Sequence, residues 1–306
     1  MNKIKKLPVP LLPTMVGACT LSNIYLSLGY GWVRHITMVV ATVIWLLFLI
    51  RIVTQWSTVK EEYVQTVPSS LYAGFTMLMM ILGSYYFTWF PAFGKAFWIT
   101  GIILHGIHIV VFTYRNIVKG VQKETFVPSY FVTYNGIMVS VVVGGSMNQP
   151  ELLNVITYYG IGIFTLLIPF MIYRLVKVPL QNGFYHTQAI VLAPSSLCVV
   201  SYLNTNQEPN FILLSYLYIA VLLALIFIIW KLPKFFSFDF TPAFAGMTFP
   251  MAIGIVASSK MAGYFTANGY TAIGAGLTQL AGIQTYLTTG IIFYVLLNMY
   301  MWMKKA

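Results

Sequence analysis

The chain has 306 residues, of which 59% are hydrophobic and only 8% charged, and its mean hydropathy is +0.81. A soluble domain of this size is not so poor in charge, so a polytopic membrane protein is expected, with no soluble domain beside it. The formal net charge of +11 would point to nucleic acid only if the basic residues formed a patch, and here they fall between apolar stretches.

In chain order, ten apolar spans can be drawn at about 7–28, 36–54, 66–86, 97–117, 127–146, 152–173, 184–203, 211–230, 241–264 and 284–303. Each is close to the ~20 residues that a helix needs to cross ~30 Å of hydrocarbon. Residues 1–306 are thus read as a single all-α transmembrane domain. Under this drawing 14 of the 17 Lys and Arg residues fall on one side, and only Arg34, Lys95 and Lys260 fall on the other. The excess of basic loops places both termini in the cytoplasm, with the protein in a plasma or inner membrane.

The spans repeat as helical hairpins. Leu7-Pro8, Val67-Pro68 and Val127-Pro128 open odd-numbered spans at a spacing of sixty residues, and Thr241-Pro242 opens another. Proline near a helix start costs little, because the first N–H groups have no intrahelical partner. Gly, Ala, Ser and Thr supply 39 of 107 residues in the odd spans but 19 of 102 in the even ones. Small residues let helices approach closely and line cavities. The expected architecture is therefore five hairpins in a quasi-five-fold arrangement, with odd helices inner and pore-lining and even helices outer, against lipid. A bundle with no central passage is the plainer alternative.

The ninth span, TPAFAGMTFPMAIGIVASSK, holds the densest signal. Phe249 is a bulky ring among small residues, and Pro250 follows it. A proline here bends the helix and frees a carbonyl, which is tolerated where protein or a water-filled cavity meets it. Pro194 offers a second kink in the seventh span. Phe249 reads either as a plug at the kink or as an ordinary packing residue.

All six acidic residues lie in loops or at span ends. Intramembrane acids mark proton and cation pathways, so their absence argues against both. What remains is a passage lined by hydroxyls, backbone and rings. The candidate polar liners are Thr14, Ser22, Ser70, Thr76, Thr133, Asn135, Ser195, Ser196 and Thr248. Each of them could equally serve only to satisfy nearby backbone. Lys260 sits near the outer mouth, where it could attract anions or snorkel to the headgroups. His105 and His108 share a helix face, but the other two histidines offer no partner at the same depth for a haem. Cys19 and Cys198 lie inside apolar spans and suit packing. No cofactor or metal is expected. No Gly-rich phosphate loop, HExxH or GxSxG motif occurs, so an enzyme is not expected.

The ten spans, the hairpins, the FTPAFAGMTFPMA stretch at 240–252 and PSYFVTYNG at 128–136 resemble the tellurite-resistance/dicarboxylate transporter (TDT) family, TehA-like and related to plant slow anion channels. The resemblance implies a homotrimer with one pore per protomer. It also implies a phenylalanine in the ninth helix that occludes the pore. Phe249 is the position to which that role is carried, with Phe244 as the fallback. A passive channel for small anions such as chloride or nitrate follows. The alternative is a secondary transporter or exporter of C4-dicarboxylates, sulfite or tellurite oxyanions. A dicarboxylate carrier would want a cation at mid-depth to pair with a carboxylate, and none is placed there.

Overall fold

The computed structural model describes residues 2–305, and among them there is no strand. After a short N-terminal helical turn come α1 (Leu11–Ser27), α2 (Gly31–Thr54) and the short α3 (Trp56–Val64). Then follow α4 (Thr66–Phe87), α5 (Pro91–Val118), a broken segment over 130–147 designated α6, α7 (Pro150–Lys177), α8 (Asn182–Thr205), α9 (Phe211–Phe235), α10 (Pro242–Ala267) and α11 (Thr271–Lys305).

Eight of these are long and apolar enough to cross a membrane. Of the ten expected spans, the first and the fifth are the two that differ. α1 is a continuous helix of 17 residues, about 26 Å at 1.5 Å per residue. α6 is not continuous. It consists of helical turns Tyr130–Tyr134 and Val139–Val143 with 3₁₀ turns Gly136–Met138 and Gly145–Met147. The interruptions fall at glycines, Gly136 and the pair Gly144-Gly145, which weaken a regular helix.

A broken segment at this depth needs donors for the carbonyls that the helix no longer satisfies. Side chains from four neighbouring positions supply them. His105 Nε2 donates to the Thr133 carbonyl at 2.8 Å, and Trp98 Nε1 to that of Ser140 at 3.2 Å. Asn204 Nδ2 donates to Val141 O at 3.3 Å and Ser84 Oγ to Val143 O at 2.9 Å. The irregular backbone is thus held by α5, α8 and α4.

Burial divides the elements into two kinds. The most apolar 18-residue stretch is 89% buried in α4, 89% in α8 and 72% in α10, but 22% in α2 and 33% in each of α5, α7, α9 and α11. α1 packs on α4, α4 on α6, α6 on α8, α8 on α10, and α10 back on α1. The less buried helices lie outside these: α2 touches α1 and α4, α7 touches α6 and α8, and α11 touches α10 and α1. Large apolar side chains such as Val110, Ile212, Tyr286 and Phe293 are left exposed on the outer helices, as a lipid-facing surface requires.

α8 and α10 share a construction. Each opens as a 3₁₀ helix, Asn182–Val191 and Pro242–Met247, and turns α-helical at Leu192 and Thr248. Pro194 and Pro250 therefore stand in the first turn of the α-helical part, where a missing N–H costs least. The two 3₁₀ openings pack on each other, with Gly246 against the His186 carbonyl.

The N-terminal end of the bundle is pinned by one ion pair. Arg51, 1% exposed at the end of α2, donates from Nη2 to Glu62 Oε1 at 2.6 Å and to Lys5 O at 3.0 Å. Its Nη1 donates to the Tyr72 hydroxyl, which in turn donates to Glu62 Oε2 at 2.6 Å. α2, α3 and α4 are tied at one point. Removing one member of such a pair strands the other, so Glu62→Leu is expected to lower stability by about 3 kcal/mol, while Arg51→Met with Glu62→Leu restores part of the loss. Thermal unfolding in detergent checks both. Close approach of α1 and α10 gives a second test. A Cβ on Gly17 would lie 2.6 Å from Phe249 N, so Gly17→Ala is expected to cost about 1–3 kcal/mol by the same measurement.

Candidate functional site

Two cavities enter the bundle from opposite ends. The first, of about 630 Å³, opens where α4, α8 and α10 begin. Glu62, Gln65, Arg115, Asn116 and Gln122 lie around its mouth, and its depth is lined by Met77, Phe131, Ile190, Leu197 and Pro250. The second, of about 850 Å³, opens where α1, α8 and α10 end. Asn23, Arg34, Asn206 and Lys260 line it, with Ile81, Val139 and Val256 along its wall. Among the described residues Phe249 is the one that lines both.

The Phe249 ring is 6% exposed, and among the described residues no other ring stacks on it. It stands at the start of the α-helical part of α10, at the level where the helix type changes. Gly17 lies directly behind its backbone, so α1 offers no side chain to crowd it there. Thr248, beside it, donates to the Ala245 carbonyl at 2.8 Å and approaches Pro13 O at 3.4 Å. Phe244 is placed differently. It is fully buried, lines neither cavity, and sits in an aromatic cluster with His186, Phe240 and Tyr294 at centroid distances of 3.9, 5.2 and 5.8 Å.

None of the nine polar side chains singled out from the sequence is among the residues lining either cavity. All nine are buried, and most are turned onto backbone or onto each other. Thr14 donates to Pro10 O, Ser22 to Cys19 O, Ser70 to Val67 O and Ser195 to Leu192 O. Asn135 Nδ2 donates to Gly160 O at 2.9 Å. Ser196 Oγ alone of the nine has no protein partner. Serine and threonine in helices readily bond the carbonyl three or four residues back, which turns them away from a passage. The deep lining near Phe249 is apolar instead. Of the other positions read from the sequence, Pro250 lines the first cavity and Lys260 the second, while Pro194 lines neither.

The histidines of α5 are held as structural donors. His105 Nε2 reaches Thr133 O, and its Nδ1 lies 2.7 Å from Thr76 Oγ1. His108 bonds Thr133 Oγ1 at 3.2 Å through Nε2 and the Tyr63 hydroxyl through Nδ1. Both ring nitrogens of each are used within the protein. Among the described residues no group of three metal-ligating side chains gathers, and Cys19 and Cys198 are free and buried.

The sequence reading missed three charged residues of the walls, Glu62, Arg34 and Arg115. Arg34 and Arg115 entered it only as counters of topology, yet each lines a cavity. Arg115 donates to the Tyr63 and Val64 carbonyls at 2.7 and 2.9 Å. For Arg34 the available signal was its isolation, as one of three basic residues on the sparse side of the chain; Arg115, beside Lys119 and Lys123, carried no such signal.

A search of curated proteins gives no match to the chain. The sequence profile of the voltage-dependent anion channels matches residues 10–301. This covers almost every element described above, so the chain belongs to the voltage-dependent anion channel family, the one that joins the slow anion channels to the tellurite-resistance/dicarboxylate transporters.

Proposed function

We propose that this protein is a passive channel for small anions whose passage follows the axis of α1, α4, α6, α8 and α10 in quasi-five-fold array. Phe249 occludes it. The carrying observation is that, among the described residues, Phe249 alone is shared by two cavities that enter from opposite ends. Ten membrane crossings follow if α1 and the broken α6 each complete a crossing, which the unbroken circuit of contacts among the five buried elements supports. The first cavity would then face the cytoplasm, together with both termini, because 14 of the 17 basic residues lie at that end.

The mechanism is one of exclusion. An anion reaching Phe249 meets an apolar wall and a ring, with no donor to replace its water. Taking a charge out of water uncompensated costs many kcal/mol, so the closed passage needs no more than one ring to stop flux. Rotation of that ring out of the passage would join the cavities. Among the described residues no carboxylate lies at this depth to hold a cation, so what passes is an anion, chosen by the ease with which it sheds water.

The second reading is a carrier of C4-dicarboxylates, sulfite or tellurite. Two cavities closed from each other are also what an occluded carrier shows, and that observation keeps it in view. Against it, the cations that line the cavities, Arg34, Arg115 and Lys260, share neither cavity's apolar depth. Assembly as a homotrimer belongs to the same proposal.

Anion current in oocytes or planar bilayers tests the gate. Wild type is expected to be nearly silent, and Phe249→Ala to carry at least about tenfold more chloride or nitrate current, since 1.4 kcal/mol off the barrier already gives that factor. Phe244→Ala serves as the contrast. It removes a fully buried ring from an aromatic cluster and is expected to cost about 3–5 kcal/mol of stability with no gain in current. Silence of Phe249→Ala, with labelled sulfite or malate still crossing liposomes, would transfer the assignment to the carrier.

A further inference from the structure

The second cavity carries charge that nothing in the protein uses. Of the four arginines in the chain, three spend both terminal guanidinium nitrogens on protein acceptors. Arg51 binds Tyr72, Lys5 O and Glu62. Arg115 binds the carbonyls of Tyr63 and Val64. Arg174 binds those of Val178 and Glu124. Arg34 is the exception. Its Nε donates to Asn23 Oδ1 at 2.8 Å, and its guanidinium carbon lies 5.1 Å from the centroid of the Tyr85 ring. Among the described residues neither terminal nitrogen of Arg34 has a hydrogen-bond acceptor. Yet Arg34 lines the second cavity, as does Asn23.

The guanidinium is therefore fixed on one edge by an amide and on one face by an aromatic ring, and its remaining edge is unengaged. Tyr85 is itself held, 5% exposed and bonded to His35 Nδ1 at 3.0 Å. A fork of N–H donors pre-set in this way loses little freedom when it binds. The lining of the cavity includes, among the described residues, a second cation, Lys260, and no aspartate or glutamate. Among the described residues the one ion pair is Arg51 with Glu62, at the other end of the molecule. The charge of the second cavity is thus uncompensated from within the protein.

We propose that the second cavity holds an oxyanion-binding site, in which the free edge of Arg34 is the ligand and Lys260 adds charge, so that nitrate-like anions are captured there before they reach Phe249. The chemistry selects the class. Two parallel N–H groups match two oxygens of one oxyanion, whereas a halide accepts at a single point. Lys260, a hydrated point charge on a flexible stem, raises local anion concentration without discriminating shape. The conduction arm of this proposal rests on the channel reading above, and the binding arm does not.

Both arms can be measured. In the Phe249→Ala background, reversal potentials give the permeability of nitrate relative to chloride. Arg34→Gln and Arg34→Lys are each expected to lower that ratio roughly three- to tenfold, because the lysine keeps the charge and loses the fork. Lys260→Gln is expected to lower conductance at low salt and leave the ratio in place. Lys95→Gln removes the same charge from a residue lining neither cavity and is expected to change neither. In the second arm, purified wild-type protein is unfolded thermally in sodium nitrate or sodium chloride at matched ionic strength. Nitrate is expected to raise the midpoint further than chloride, and Arg34→Lys to remove the difference. If the Phe249→Ala parent is silent but this difference depends on Arg34, the site stands and the channel reading fails. Equal midpoints in the two salts for wild type, or Arg34 variants that keep the full nitrate advantage, would overturn the site.

Discussion

The fold depends on one rule of the membrane interior: a backbone group that leaves the helix must find a partner in protein. α6 breaks that regularity most, and four side chains repair it, from His105, Trp98, Asn204 and Ser84. Those donors come from α5, α8 and α4, so the break also locks α6 to its neighbours. A continuous helix would have made no such demand and no such ties. Irregularity is affordable only because α6 is enclosed, and it is enclosed because α4 and α8 stand on either side of it.

The same rule explains where the polar side chains went. A hydroxyl in a helix at this depth satisfies itself most readily on the carbonyl one turn back, and Thr14, Ser22, Ser70 and Ser195 do so. Composition made these residues look like the wall of a passage. Yet the feature that composition registers, small size, acts through packing: Gly17 lets α1 meet α10 at Phe249, and Gly74 meets Leu12 and Pro13 of α1. Small residues brought the inner elements together, and others of them, such as Gly136, Ala193, Ala245 and Gly246, line the first cavity beside Met77, Leu197 and Phe249.

Much of the architecture was legible because it rests on patterns that lipid enforces. Span length, the distribution of basic residues and the contrast between small and greasy helices all follow from the bilayer, and the family follows from the motif around Phe249. The broken α6 was less legible. Its hydropathy is that of a span, and whether Gly136 and the Gly144-Gly145 pair disrupt a helix depends on donors that come from distant parts of the chain. The role of Arg34 was hidden for a related reason. A count of charges groups it with Lys95 and Lys260, but does not show that Asn23 and Tyr85 hold its plane while Arg51, Arg115 and Arg174 are consumed by carbonyls and a carboxylate.

Charge in this molecule is sorted by whether it has been satisfied. The satisfied arginines act as rivets: Arg51 fastens α2 to α3 and α4, and Arg174 holds the carbonyls that follow α7 and precede α6. The unsatisfied charge lines the second cavity, away from the apolar neck. This separation has a physical logic. A fixed cation at the neck would bind an anion tightly and slow its exit, whereas a cation in the vestibule raises anion concentration and leaves the neck free of any trap. Under the proposed mechanism the neck decides whether anything passes, by dehydration against Phe249, and the vestibule decides what arrives. The two functions can then change independently, because no residue that holds Arg34 in place also lines the first cavity.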